Sequence, residues 1–150
     1  MRTGLEKWNL LKAKVHTLAN DKDFKLIGIA SHLSDYKISW LLNEELDFKF
    51  QQSEDITLKA AKSLETHKFS TYKTEDEKDT IYTLFSNRTD LAIFIKALKN
   101  IDFILKLEGE VTNFHVQELI GKIKKLRNIL TVFEIDPNSL SSKERDLFIN

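Results

Sequence analysis

The sequence predicts an α+β domain: an antiparallel-rich sheet of several strands with two main helices. Three observations carry that prediction. Two β-rich runs, Phe69 to Lys73 and Thr80 to Phe85, bracket the charged stretch Thr74-Glu75-Asp76-Glu77-Lys78-Asp79 as the arms of a hairpin would. Two segments, near 35–46 and 113–127, combine helical spacing of apolar residues with start signals. One proline, Pro137, and four glycines leave no linker to divide 150 residues into two domains. Residues 1–11 read as a loose N-terminal arm, with Trp8 and Leu10 docking back, and 12–148 as the single domain.

Taken in order, Ala13, Val15 and Thr17 alternate with Lys12, Lys14 and His16 as a first strand. Phe24 to Ala30 is apolar on both sides, so periodicity leaves buried strand and short helix open. Ser34 is a good helix N-cap, and Leu33 and Ile38 occupy the two positions of a hydrophobic staple. Ile38, Leu41, Leu42 and Leu46 then recur at helical spacing. Tyr36, Ile38, Trp40 and Leu42 also alternate as in a strand, but two start signals favour a helix over 35–46. Phe48 and Phe50 flank Lys49 in a period-two pattern that predicts a strand, and Ile56 to Ala60 predicts another.

Asn87 to Asp90 reads as a turn. Leu91-Ala92-Ile93-Phe94-Ile95 is apolar without alternation, as in a central strand covered on both faces. Ile101, Phe103, Leu105 and Leu107 mark a further strand, closed by Gly109. Val116, Leu119, Ile120, Ile123 and Leu126 form one stripe on a helix near 113–127, with Thr112 as N-cap. Ile129 to Ile135 is a final strand, stopped by Asp136-Pro137, and Ser141 or Ser142 caps a short turn through Leu147. Two helices are too few to cover both faces of such a sheet. The second face then needs the N-terminal arm, the C-terminal tail or a second copy, which predicts a homodimer.

Hydrophobic residues make up 41% and charged residues 31%, a globular composition. Lys plus Arg and Asp plus Glu are 23 each, whereas a dedicated nucleic-acid-coating protein is normally basic. The absence of cysteine excludes disulfides, thiolate metal sites and thiol catalysis. Glu6 and Lys7 interrupt any signal-peptide core, and the longest strongly apolar run, Leu91 to Ile95, is far short of the ~20 residues of a membrane helix. A cytoplasmic location without membrane association is the expectation.

The search for chemistry yields no catalytic, cofactor-binding or metal-ligating residue. His16, His32, His67 and His115 are not spaced as ligands. The acidic run 75–79 lacks the register, glycine and final glutamate of a calcium loop, and reads as a solvated hairpin tip. Gly4, Gly28, Gly109 and Gly121 are isolated, so no phosphate-cradling loop exists. No Gly-x-Ser-x-Gly elbow is present. Adjacent Glu44 and Glu45 point about 100° apart on a helix and cannot share one bond. Lys122, Lys124, Lys125 and Arg127 form the best basic cluster, either a phosphate-contacting patch or cations matched to a helix C-terminus.

Three stretches together resemble the IPExxxVDY family of small bacterial proteins, found mainly in Bacteroidota. Asp23-Phe24-Lys25-Leu26-Ile27-Gly28-Ile29 with His32-Leu33-Ser34-Asp35-Tyr36 is similar to its opening block, and Leu130-Thr131-Val132-Phe133-Glu134-Ile135-Asp136-Pro137 to its closing block. Ile95-Lys96-Ala97-Leu98-Lys99-Asn100-Ile101-Asp102-Phe103 occupies the signature. Ile95 and Asp102 match it, Ile101 and Phe103 are conservative, and Lys96 and Ala97 replace Pro and Glu. The resemblance spans about residues 12–148 in order. It implies no established activity, substrate or cofactor. It leaves Ile95, Asp102 and Phe103 as candidate signature or structural residues, with Asp102 either a site residue or, as we favour, a tie to the backbone of a turn or neighbouring strand near residues 99 and 100. A proline at Lys96 would end the Leu91–Ile95 strand.

The chain therefore reads as a cytosolic, non-catalytic interaction or adaptor domain with an unidentified protein partner, no cofactor and a tendency to self-associate. A nucleic-acid-associated accessory factor is the first alternative. An enzyme or small-ligand binder with a dispersed site is the second.

Overall fold

The structure is a computed structural model that describes residues 23–59 and 64–149. The N-terminal arm, the strand expected over 13–17, and Ala60 lie outside the described residues. In chain order the elements are β1 (Phe24–Ser31), α1 (Asp35–Leu46), β2 (Gln51–Gln52), β3 (Ile56–Lys59), β4 (Thr66–Phe69), β5 (Thr71–Glu75), β6 (Ile81–Ser86), β7 (Phe103–Glu108), α2 (Asn113–Lys124), β8 (Ile129–Ile135) and α3 (Ser142–Asp146). Short 3-10 turns span Lys96–Leu98 and Pro137–Ser139. Six strands form one sheet in the order β2-β5-β6-β7-β1-β8, every neighbouring pair antiparallel. β3 and β4 make a separate hairpin. The α+β expectation, with its antiparallel sheet and two main helices, describes this architecture.

β1 is a strand because it lies between β7 and β8 and is covered on both faces. That double cover explains why the run is apolar without a period. Ile27 and Ile29 face α1 and α2, with Leu84, Leu105 and Leu107 from β6 and β7. Ile38 and Leu42 from α1, and Val116, Leu119, Ile120 and Ile123 from α2, complete this core. Ser34 caps α1 by accepting from Lys37 N, and Thr112 caps α2 by accepting from His115 N. Gly28 lets β8 lean over β1: a Cβ there would stand 2.9 Å from Ile135 Cδ1.

The second face carries Phe24, Leu26, Phe85, Ile104 and Ile135. Its cover comes from the β3–β4 hairpin, the segment 88–101 and the C-terminal residues. Leu140, Phe148, Phe94, Ile95 and Phe69 pack there, each at most 5% exposed. Phe85 and Phe94 stack at 5.7 Å between centroids, and Phe148 meets both edge-on at 5.2 and 5.7 Å. Lys106, buried on this face, donates to the Phe148 carbonyl, pairs with Glu108 at 3.3 Å and lies over the Phe24 ring. Burial holds its ammonium below the ordinary lysine value, against the pull of Glu108. Of the covers the sequence offered for this face, the C-terminal tail is one the structure uses.

Three local expectations are corrected. Leu91 to Ile95 is not a central strand: it makes a single bridge, Arg88 to Ile93, and Leu91 is 84% exposed. The stretch is apolar because Phe94 and Ile95 plug the second face, not because strands flank it. Phe48 to Phe50 is not a strand and precedes β2. The Asn43 side chain takes both backbone groups of Phe50, donating to its carbonyl and accepting from its N–H, so Phe50 makes no ladder. α2 ends at Lys124, three residues early, where bonds from Lys125 N to Lys122 O and Leu126 N to Ile123 O tighten the last turn. Asn128 at φ 69 then turns the chain into β8.

The 3-10 turn changes the account of Lys96. It occupies the first helical position after Ile95 at φ −110 and ψ 101. A proline is tolerated there because the N–H has no intrahelical acceptor and the preceding residue is already extended. Lys96→Pro should leave stability unchanged or raise it by up to about 1 kcal/mol in urea unfolding. A loss above about 2 kcal/mol would show that this backbone does not suit proline.

Candidate functional site

A concave feature of about 850 Å³ opens where β1 and β6 end and α1 and β7 begin. Antiparallel pairing brings those four ends together. The same topology collects their polar residues: His32, Ser34 and Asp35 at the start of α1, Ser86 at the end of β6 and Arg88 after it, and Asp102 before β7. Lys68 and Ser70 enter from the β4–β5 corner, and Asp55 and Asp90 from loops. Four aspartates thus face two cations, and the cleft is acidic.

Its side chains are linked. Ser70 Oγ donates to Asp35 Oδ2 at 2.5 Å and shares a hydrogen bond with Ser86 Oγ at 2.7 Å. Asp35 Oδ1 accepts from Tyr36 N at 2.7 Å. Asp102 Oδ2 accepts from Ser31 N at 2.8 Å, and its Oδ1 lies 3.8 Å from Arg88 Nε. Arg88 in turn donates to the Lys99 carbonyl. Asp102 therefore ties the neighbouring strand β1 directly, and residue 99 only through Arg88.

Behind the cleft sits Asn87, fully buried. Its Oδ1 accepts from Ile95 N at 2.8 Å, and its Nδ2 donates to Leu98 O at 2.8 Å and Ile101 O at 2.9 Å. Its own N–H donates to Asp102 O and its carbonyl accepts from Phe94 N. The signature positions Ile95 and Asp102 are joined through this one residue. Phe103 is not: it belongs to the helix-side core. Sequence reading missed Asn87 because an asparagine after a strand is also an ordinary turn residue.

The four residues of the basic cluster lie at the end of α2 and just beyond it. Lys122 pairs with Glu118 at 3.7 Å. Lys124 lies about 200° around the helix from it. Lys125 caps α2, and Arg127 is in the following turn. His115, in contrast, belongs to a defined network. Tyr82 Oη donates its proton to Asp76 Oδ2 at 3.0 Å, so at 2.7 Å it accepts from His115 Nε2. Burial first, then Asp76, raises the Tyr82 phenol above its ordinary value. Burial pushes Asp76 up, but bonds from Thr80 N, Lys78 N and Tyr82, with the charge of His115, outweigh it and lower its carboxyl. Asp76 is thus a tether between hairpin and helix, not only part of a solvated tip. Among the described residues, no group of three His, Asp or Glu side chains could hold a metal ion, and no helix is long and apolar enough to cross a membrane.

No protein-family model matches the chain, and no curated protein matches it.

Asp76 makes a pH prediction. Its folded value lies below 3.8, so its stabilisation is present above 3.8 and is lost as pH falls through the folded value. Melting should show the chain outlasting its Asp76→Asn variant at neutral pH, with the gap closing in acid below 3.8. A gap that is constant with pH would contradict the assignment.

Proposed function

We propose that the chain is a cytosolic, non-catalytic protein-interaction domain that receives a basic, apolar segment of a partner along α1. The carrying observation is an aromatic pair. Tyr36 and Trp40, one turn apart on α1, are 67% and 55% exposed. Tyrosine and tryptophan are the residues most enriched among those that dominate binding energy at interfaces. Glu44 continues the same face one turn on, and Asp35, Glu45 and Asp47 add further negative charge against a single lysine, Lys37. α1 begins at the acidic cleft. A partner carrying lysine or arginine beside apolar residues complements both features.

We also propose membership of the IPExxxVDY family. Its three resembling blocks fall around three adjacent strands, β7, β1 and β8, and the cleft gathers His32 to Asp35 with Asp102. This supports a shared structural centre rather than shared chemistry. A nucleic-acid reading rests on the exposed Lys124, Lys125 and Arg127 at the end of α2. It would require binding to single-stranded RNA that weakens steeply with salt.

Selection of a random peptide-display library on the purified chain tests the proposal. Enriched peptides should combine Lys or Arg with aromatic or aliphatic residues. Tyr36→Ala with Trp40→Ala should weaken their binding at least about tenfold. Because both side chains are exposed, the double variant should melt within a few degrees of the parent. No enrichment, or binding untouched by the substitutions, would contradict the reading.

A further inference from the structure

The two edges of the sheet differ. β2 at one edge is two exposed glutamines, a short polar strand of the kind that resists further pairing. β8 at the other edge is seven residues, Ile-Leu-Thr-Val-Phe-Glu-Ile, with one charge and no proline. Among the described residues no strand pairs with its outer side. Leu130 is 59% exposed and Phe133 39%. Such an edge is a template for another strand.

We propose that β8 pairs antiparallel with β8 of a second copy, joining two six-stranded sheets across a two-fold axis near Val132. Charge selects the copy and the direction. Lys124, Lys125 and Arg127 precede β8, while Glu134 and Asp136 end it. Antiparallel pairing sets the basic start of one strand beside the acidic end of the other, whereas parallel pairing would oppose like charges. With the axis at Val132, Thr131 faces Phe133 of the second copy on the same side of the sheet.

α2 supplies an independent observation. It packs chiefly on β8, running antiparallel to it, and Gln117 Nε2 donates to Glu134 Oε1 at 3.0 Å. Two strand residues back from Glu134, about 6.6 Å, is Val132. The same distance along α2 is about four residues on from Gln117, which is Gly121. A Cβ at Gly121 would meet nothing within 4 Å. Glycine weakens a helix interior, and among the described residues no close neighbour requires it here. Level with the axis, it leaves room for the facing α2 at the ~8–10 Å at which helices pack.

Sedimentation of the full chain tests the pairing. A dimer is expected at about 50 µM, within reach of a strand-edge interface. Thr131→Lys with Phe133→Lys places like charges opposite one another. It should raise the dissociation constant at least about a hundredfold, with unchanged circular dichroism. The chain has no cysteine, so single cysteines report position cleanly. Thr131→Cys should cross-link two copies through a short bis-maleimide, and Gln52→Cys at the opposite edge should not. A monomeric full chain, a dimer that survives the paired lysines, or one cross-linked through residue 52 and not 131 would each overturn the proposal.

Discussion

One buried amide organises the open end of this sheet. The segment 88–101 leaves β6, crosses the second face and returns to β7 without joining the sheet, and its bridge from Arg88 to Ile93 is internal to it. Its backbone groups lose water as Phe94 and Ile95 go under, and each needs another partner. Asn87 supplies them, because a carboxamide offers the same donors and acceptor as a peptide. With the segment held, Phe94 stacks on Phe85 and Ile95 joins the same buried core. Lys106 performs the matching task for the other cover, by donating to the Phe148 carbonyl. The second core is thus apolar packing held in register by two polar anchors.

That arrangement also shapes the surface proposed for docking. Asn87 N holds the Asp102 carbonyl, and the Asp102 carboxylate holds Ser31 N at the end of β1. From Ser31 the chain passes directly through His32 to the capped start of α1. The acidic cleft and the Tyr36–Trp40 ridge are therefore built on fixed backbone. A rigid display of aromatic side chains binds with less loss of conformational freedom than a mobile one, which favours a docking role. The aspartates of the cleft act as ties between strands and helix starts, and none is paired with a histidine as a nucleophile–base couple would require among the described contacts.

The helices and most strands were legible because their signals are local. Ser34 and Thr112 cap where expected, and the stripe of Val116, Leu119, Ile120 and Ile123 is the buried face of α2. The hairpin β5–β6 follows from alternation about a charged turn. What failed was long-range. Leu91 to Ile95 has the composition of a central strand, and nothing local distinguishes a strand from a plug held by an asparagine. Phe50 has the sequence pattern of a strand residue, but its backbone bonds go to Asn43, seven residues earlier. The cleft was only half legible. Asp102 stood out through the resemblance, whereas Arg88, Ser70 and Ser86 join it only once the antiparallel order places β6 beside β7.

Asn87→Asp, measured by urea unfolding at neutral pH, tests this account most directly. The substitution keeps shape and the acceptor for Ile95 N, but removes both donors and sets a carboxylate against the carbonyls of Leu98 and Ile101. A loss of at least about 3 kcal/mol is predicted, from the Ile101 carbonyl left without its donor, the Leu98 carbonyl left with Ile101 N alone, and an uncompensated charge. A loss below about 0.5 kcal/mol, the level of an ordinary surface change, would show that the segment 88–101 is held by its packing and not by Asn87.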